Sequence, residues 1–154
     1  MEQYYSNKFS EGFWQFIIDN PDEVWNWYEL SENKNITWDI IKNNLDKDWK
    51  WVYVSGNPNI TWDIILDNPN IDWAWNGISA NPNITLEIIQ NNPTFPWRWD
   101  CISANPNITW EFIKNNPNKD WDWTNGISYN SNITWEIIQN NPDKDLNWNK
   151  ISHH

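Results

Sequence analysis

The chain has 154 residues, 39% of them hydrophobic, with 16 Trp, one Cys and a formal net charge of −11. A sequence pI near 4.3 opposes phosphate backbones and anionic membrane surfaces, so nucleic acid and membrane are excluded as partners despite the aromatic content. The single Cys101 allows no intrachain disulfide, and the only histidines, His153 and His154, read as the remnant of a tag, which leaves none for catalysis or metal binding.

The N-terminal Met1-Glu2-Gln3-Tyr4-Tyr5-Ser6 has neither the basic nor the apolar region of a secretory signal, and no run reaches the apolar length of a membrane span. A soluble cytoplasmic protein is expected. Residues 13–152 are a tandem array, and 153–154 are the tag remnant. Residues 1–12 form an aromatic leader (Tyr4, Tyr5, Phe9) expected to cover the open end of the array, with Ser10 as a cap for its first helix.

The array is read from one phrase, Asn57-Pro58-Asn59-Ile60-Thr61-Trp62-Asp63-Ile64-Ile65. Its threonines recur at Thr37, Thr61, Thr85, Thr109 and Thr134, in steps of 24, 24, 24 and 25 residues. A period in this range marks units that bury their apolar faces only against neighbours.

The first half of each unit predicts a short helix, about 61–68 in the second copy. Thr is a good N-cap, and Asp39, Asp63, Glu87, Glu111 and Glu136 then fall at the positive end of the helix dipole. Ile60 with Ile65, Ile84 with Ile89, and Ile133 with Ile138 have the spacing of hydrophobic staples.

The second half predicts another helix, beginning at Asp22, Asp46, Asn70, Thr94, Asn118 or Asp143, all residue types that cap. Pro96 suits a first helical turn. Within this helix Ile71, Trp75 and Ile78 share one face and Trp73 takes the opposite one, so both aromatic rows are assigned to the core. Asn81-Pro82 ends it, with Asn in the left-handed position and Pro unable to continue. The extra residue of the 25-step lies in Trp123-Thr124-Asn125-Gly126-Ile127 and predicts a bulge or an early helix end. Helices of two or three turns are not stable alone. The fold expected is therefore all-α, an α-solenoid of 24-residue units with two short helices each.

Through Asn81-Pro82, Ile84, Glu87, Ile88 and Ile89 the unit resembles the leucine-rich-variant repeats, which implies a right-handed superhelix pairing an α-helix with a short helical segment. Through phrases such as Asn105-Pro106-Asn107-Ile108-Thr109-Trp110-Glu111 the whole chain is similar to the Asn-, Ile- and Trp-rich tandem repeats of giant DNA viruses of amoebae. That likeness implies an origin, and a place in host cytoplasm or virion, more than an activity.

No catalytic set, metal site or cofactor motif is found. Cys101 stands where other units have Tyr53 or Gly77 and reads as a packing thiol. Asn-Ile-Thr also spells a glycosylation acceptor at Asn35, Asn59, Asn83, Asn107 and Asn132, although helix capping accounts for its threonines. The carboxylates read as one dipole charge per unit; the alternative is a pair, such as Asp63 with Glu87, that holds Ca²⁺ or acts as acid and base.

The first-helix Trp residues (Trp14, Trp38, Trp62, Trp110, Trp135, with Leu86 in the remaining unit) either stack between units or form an exposed stripe. The candidate partner-binding set is Trp38, Trp62, Trp110 and Trp135 with Asp39, Asp63, Glu87, Glu111 and Glu136. Asn57, Asn81, Asn105 and Asn130 are expected to form a hydrogen-bonded ladder. The variable positions Asn26, Lys50, Ala74, Arg98, Asp122 and Asn147 are expected on a solvent face. These features point to a non-enzymatic scaffold for a protein or basic peptide, with a glycan-binding module as the alternative and a carboxylate hydrolase behind both.

Overall fold

The computed structural model describes residues 2–152, with side chains from Lys8 onward. Among the described residues every regular element is helical. An 18-residue helix, α1 (Glu2–Asp19), is followed by α2 (Trp27–Glu32), α3 (Trp38–Lys42), α4 (Trp51–Gly56), α5 (Trp62–Asp67) and α6 (Trp75–Ala80). Then come α7 (Leu86–Asn91), α8 (Trp99–Ile102), α9 (Trp110–Asn115), a 3₁₀ turn (Ile127–Tyr129), α10 (Trp135–Gln139) and α11 (Trp148–Ile151). No described helix is long and apolar enough to cross a membrane.

The first helix of each unit forms where its caps require it. The hydroxyls of Thr37, Thr61, Thr85, Thr109 and Thr134 accept from the backbone N–H three residues on, at 3.3–3.4 Å. The staple residues on either side of each cap, Ile60 and Ile65 for one, are buried. At the other end an Asn folds back: Asn44, Asn68, Asn92, Asn116 and Asn141 each donate from Nδ2 to the carbonyl four residues earlier at 2.7–2.8 Å. That bond satisfies a carbonyl the helix leaves open.

The N-terminal unit differs from expectation. Ser10 does not cap a helix start; it is buried inside α1, which runs unbroken from the leader into the first unit. Phe9 is 62% exposed. The side chains of Tyr4 and Tyr5 lie outside the described residues.

The second helix also begins later than expected. Asn68-Pro69-Asn70-Ile71 forms a turn closed by Ile71 N–H donating to the Asn68 carbonyl at 3.2 Å, so Asn70 is a turn residue and not a cap. The chain then extends, taking Pro96 with it in its own unit. Helix starts only at the second Trp, with Asn26, Lys50, Ala74, Arg98 and Asn147 as N-caps. Ile71 consequently lies before the helix rather than on its face.

The late start follows from two bonds. The indole N–H of Trp25, Trp49, Trp73, Trp97 and Trp121 reaches back to the Asn carbonyl five residues earlier, at 2.7–3.0 Å. The next backbone N–H donates to a buried Ser Oγ of the preceding unit: Lys50 to Ser31, Ala74 to Ser55, Arg98 to Ser79, Asp122 to Ser103 and Asn147 to Ser128, at 2.9–3.0 Å. Side chains at those positions vary because the backbone makes the contact. The positions lie at a junction, yet none of their side chains is buried and those of Asn26 and Arg98 are exposed, as variable positions on a solvent face should be.

Consecutive second-half helices pack on each other, most extensively α4 with α6. A Cβ at Gly77 would fall on the Val52 carbonyl oxygen and within 2.8 Å of Ser55 Cβ, so only Gly permits that approach. The 25-residue unit behaves as its spacing predicts: Ile127 N–H bonds five residues back, to Asp122 at 2.7 Å, and a 3₁₀ turn replaces the helix.

Candidate functional site

Two rows of indoles meet between units. The centroids of Trp14 and Trp49, Trp38 and Trp73, and Trp62 and Trp97 lie 5.7, 5.4 and 5.7 Å apart. Edge-on contacts bring Trp27 to Trp49, Trp51 to Trp73 and Trp75 to Trp97 at 5.2, 5.7 and 5.3 Å. Each central Trp thus receives two indoles from the unit before it, and each such pair adds about 0.5–1.5 kcal/mol beyond area burial. The receiving Trp49, Trp73, Trp97 and Trp121 are buried as expected. The Trp75 row is half-buried rather than core, and its last member, Trp148, is 59% exposed.

Among the nominated aromatics, Trp38, Trp62 and Trp110 are half-buried, the first two in these stacks and Trp110 edge-on to Trp123 at 6.2 Å. Trp135 differs, with 60% of its surface in solvent.

The nominated carboxylates all remain in solvent. Asp39, Asp63, Glu87, Glu111 and Glu136 are exposed in the first turns of α3, α5, α7, α9 and α10. Asp39 is paired with Lys42 at 2.6 Å; no cation among the described residues lies within 4.0 Å of the other four. The result is one carboxylate per unit at a fixed place beside Trp38, Trp62, Leu86, Trp110 or Trp135.

The row begins at a recess of about 580 Å³. Ser10, Glu11 and Trp14 of α1 line one side, with Trp38, Asp39 and Asn43 among the residues opposite. Sequence reasoning missed this cavity because it assigned Ser10 and Glu11 to a separate leader.

The Asn ladder lies beside this row. Asn81 is fully buried and its Nδ2 donates to the carbonyls of Ser55, Asn57 and Ile60 at 2.8, 3.1 and 3.1 Å, while its Oδ1 accepts from Asn83 N–H at 2.8 Å. Asn105 and Asn130 repeat the pattern, and Asn57 donates to the carbonyls of Ser31 and Asn33. Its backbone is extended, φ −64° and ψ 130°, as the residue before Pro prefers, so the left-handed reading is wrong. A second ladder escaped prediction: Asn59, Asn83, Asn107 and Asn132 each donate to two carbonyls of the preceding unit at 2.7–3.0 Å.

Cys101 is half-buried, and burial pushes its thiol above the usual range, consistent with packing. The neighbouring Asp100 carboxyl is held below its ordinary value by the hydrogen bond from Arg98, whose Nη2 lies 2.9 Å away. No group of three or more His, Cys, Asp or Glu able to hold a metal occurs among the described residues.

No protein-family model, curated protein or solved structure matches this chain. The two resemblances drawn from the sequence therefore stand on their quoted residues alone.

Proposed function

We propose that the chain is a non-enzymatic α-solenoid scaffold, cytoplasmic in setting, that binds a protein or basic peptide along the acidic edge of its first-half helices. The observation that supports it is the regularity of that edge, with one exposed carboxylate per unit from Asp39 to Glu136 beside a half-buried or exposed apolar side chain. An exposed ion pair contributes only about 0.2–1 kcal/mol. Several in register with an extended cationic partner give useful affinity and marked salt dependence.

The test is fluorescence anisotropy with a labelled Lys/Arg-rich peptide and the variant Asp39→Lys/Asp63→Lys/Glu111→Lys. Three reversals at about 0.5–1 kcal/mol each weaken binding roughly 10- to 150-fold. Equal affinity of both forms at low salt removes the acidic edge from the reading.

A second reading, glycan binding, is favoured by the recess, where indole, carboxylate, amide and hydroxyl groups converge. Titration with neutral oligosaccharides, followed by Trp fluorescence and repeated on Trp38→Ala, separates the two. Saturable binding that Trp38→Ala abolishes supports this second reading.

A further inference from the structure

The recess beside α1 lies between units, because its lining runs from Ser10 and Glu11 through Trp38 and Asp39 to Asn59 and Ile64. It is open because α1 is unbroken. Asn59 and its counterparts further along donate to two carbonyls of the unit before and draw the units together. Asn35, at the same position beside α1, makes no such side-chain bond among the described residues. The α1 carbonyls that would serve it belong to an 18-residue helix and are spent within it.

One wall carries a polar group that the fold does not use. Ser10 is 4% exposed and its hydroxyl has no hydrogen-bond partner among the described residues. No fully enclosed side-chain polar atom among those residues is left unpaired, so the little surface Ser10 keeps includes its Oγ, at the recess that it lines. A hydroxyl held there by an otherwise buried residue is placed to meet a ligand.

The charged groups fix the sign of that ligand. Glu11 and Asp39 are the charged residues among those lining the recess, and both are exposed carboxylates. Asp39 shares its charge with Lys42 at 2.6 Å, whereas no cation among the described residues lies within 4.0 Å of Glu11. Residues 10–44 hold seven acids against two bases. Trp14 and Trp38 also line the recess, each fixed by its stack on Trp49 or Trp73 at 5.7 and 5.4 Å. Rigid indoles beside free carboxylates attract a flat, weakly hydrated cation.

We infer that the recess is an arginine pocket, which anchors one guanidinium of a basic peptide lying along the acidic edge. The guanidinium stacks on Trp38, donates to the Glu11 and Asp39 carboxylates and gives a further N–H to Ser10 Oγ. A lysine ammonium is a poorer occupant, being compact, strongly hydrated and without a face to stack. The volume of about 580 Å³ falls among small-ligand sites and leaves room for the peptide backbone next to the arginine. This inference rests on the basic-peptide reading and names where such a peptide is held.

The test is NMR titration of the ¹⁵N-labelled full chain with acetyl-Gly-Arg-Gly-amide, reading the indole N–H signals of Trp14 and Trp38. Saturable shifts are expected with a Kd of about 0.1–1 mM, and the citrulline peptide, neutral and nearly the same shape, should bind at least about tenfold more weakly. Glu11 and Lys42 are exposed, so their variants keep the fold. Glu11→Gln should weaken binding about three- to tenfold, and Lys42→Gln, which frees Asp39, should strengthen it about two- to fivefold. Equal affinity for the arginine and citrulline peptides overturns the proposal, as do arginine-peptide shifts absent from Trp14 and Trp38, or tighter binding of a neutral oligosaccharide at the same indoles. A longer Lys/Arg-rich peptide keeps the failures apart. If it binds with sensitivity to Asp63→Lys/Glu111→Lys but not to Glu11→Gln, the acidic edge stands without the pocket. If it does not bind at all, both readings fall.

Discussion

Removing one rung of the Asn ladder has a cost that can be worked from its bonds. Asn81→Ala deletes an amide whose two N–H hydrogens are shared among the carbonyls of Ser55, Asn57 and Ile60, and an Oδ1 that holds Asn83 N–H. Ile60 and Asn57 retain other donors, Asn83 Nδ2 and Ile60 N–H respectively, so the loss is about three net bonds rather than four orphaned groups. At about 0.5–1.5 kcal/mol per bond, the expected destabilisation is about 2–4 kcal/mol.

Asn33→Ala is the internal control. Its Nδ2 has no acceptor among the described residues, so it loses only the 2.9 Å bond from Asn35 N–H to Oδ1, about 1 kcal/mol. Urea unfolding followed by Trp fluorescence and far-UV circular dichroism gives both values. Equal losses within about 0.5 kcal/mol would refute the claim that the ladder ties units together.

Gly77→Ala, whose methyl meets Val52 O, should destabilise by more than about 1–3 kcal/mol, whereas Gly12→Ala in α1, with nothing within 4 Å of its Cβ, should stabilise by about 0.5–1 kcal/mol; thermal melts distinguish them. Thr61→Ala should cost about 1 kcal/mol through its lost cap, measured by the same denaturation. The Asp100 carboxyl is held low by Arg98, so its contribution is present above the unfolded value and fades as pH falls through the lowered folded value. Carboxyl NMR titration should show Arg98→Ala returning Asp100 to the ordinary range.

Period, caps and staples were readable because each depends on residues close in sequence. Thr61, Asp63, Ile60 and Ile65 lie within one helical turn or two, and their roles follow from local geometry. The ladder at Asn81 was also legible, since a repeated buried amide needs partners. What escaped depends on contacts about 19 to 35 residues apart: Ser55 accepting from Ala74, Asn83 reaching Pro58, and Trp73 receiving Trp38. Asn70 misled for a related reason. Asn and Asp serve turns as well as caps, and the indole bond from Trp73 to Asn68 selects the turn. At the candidate site, the acidic row was visible as one Asp or Glu after each Thr-Trp or Thr-Leu, while the recess needed α1 to run unbroken past Ser10.

The binding role of the acidic edge is tested most directly by residue-resolved NMR on the ¹⁵N-labelled chain titrated with a Lys/Arg-rich peptide. Shift changes should recur at Asp39, Asp63, Glu87, Glu111 and Glu136 and at the neighbouring indoles, and shrink together as salt is raised. Changes confined to Trp148 and Ser152, or none along the row at saturating peptide, would contradict an acidic binding edge.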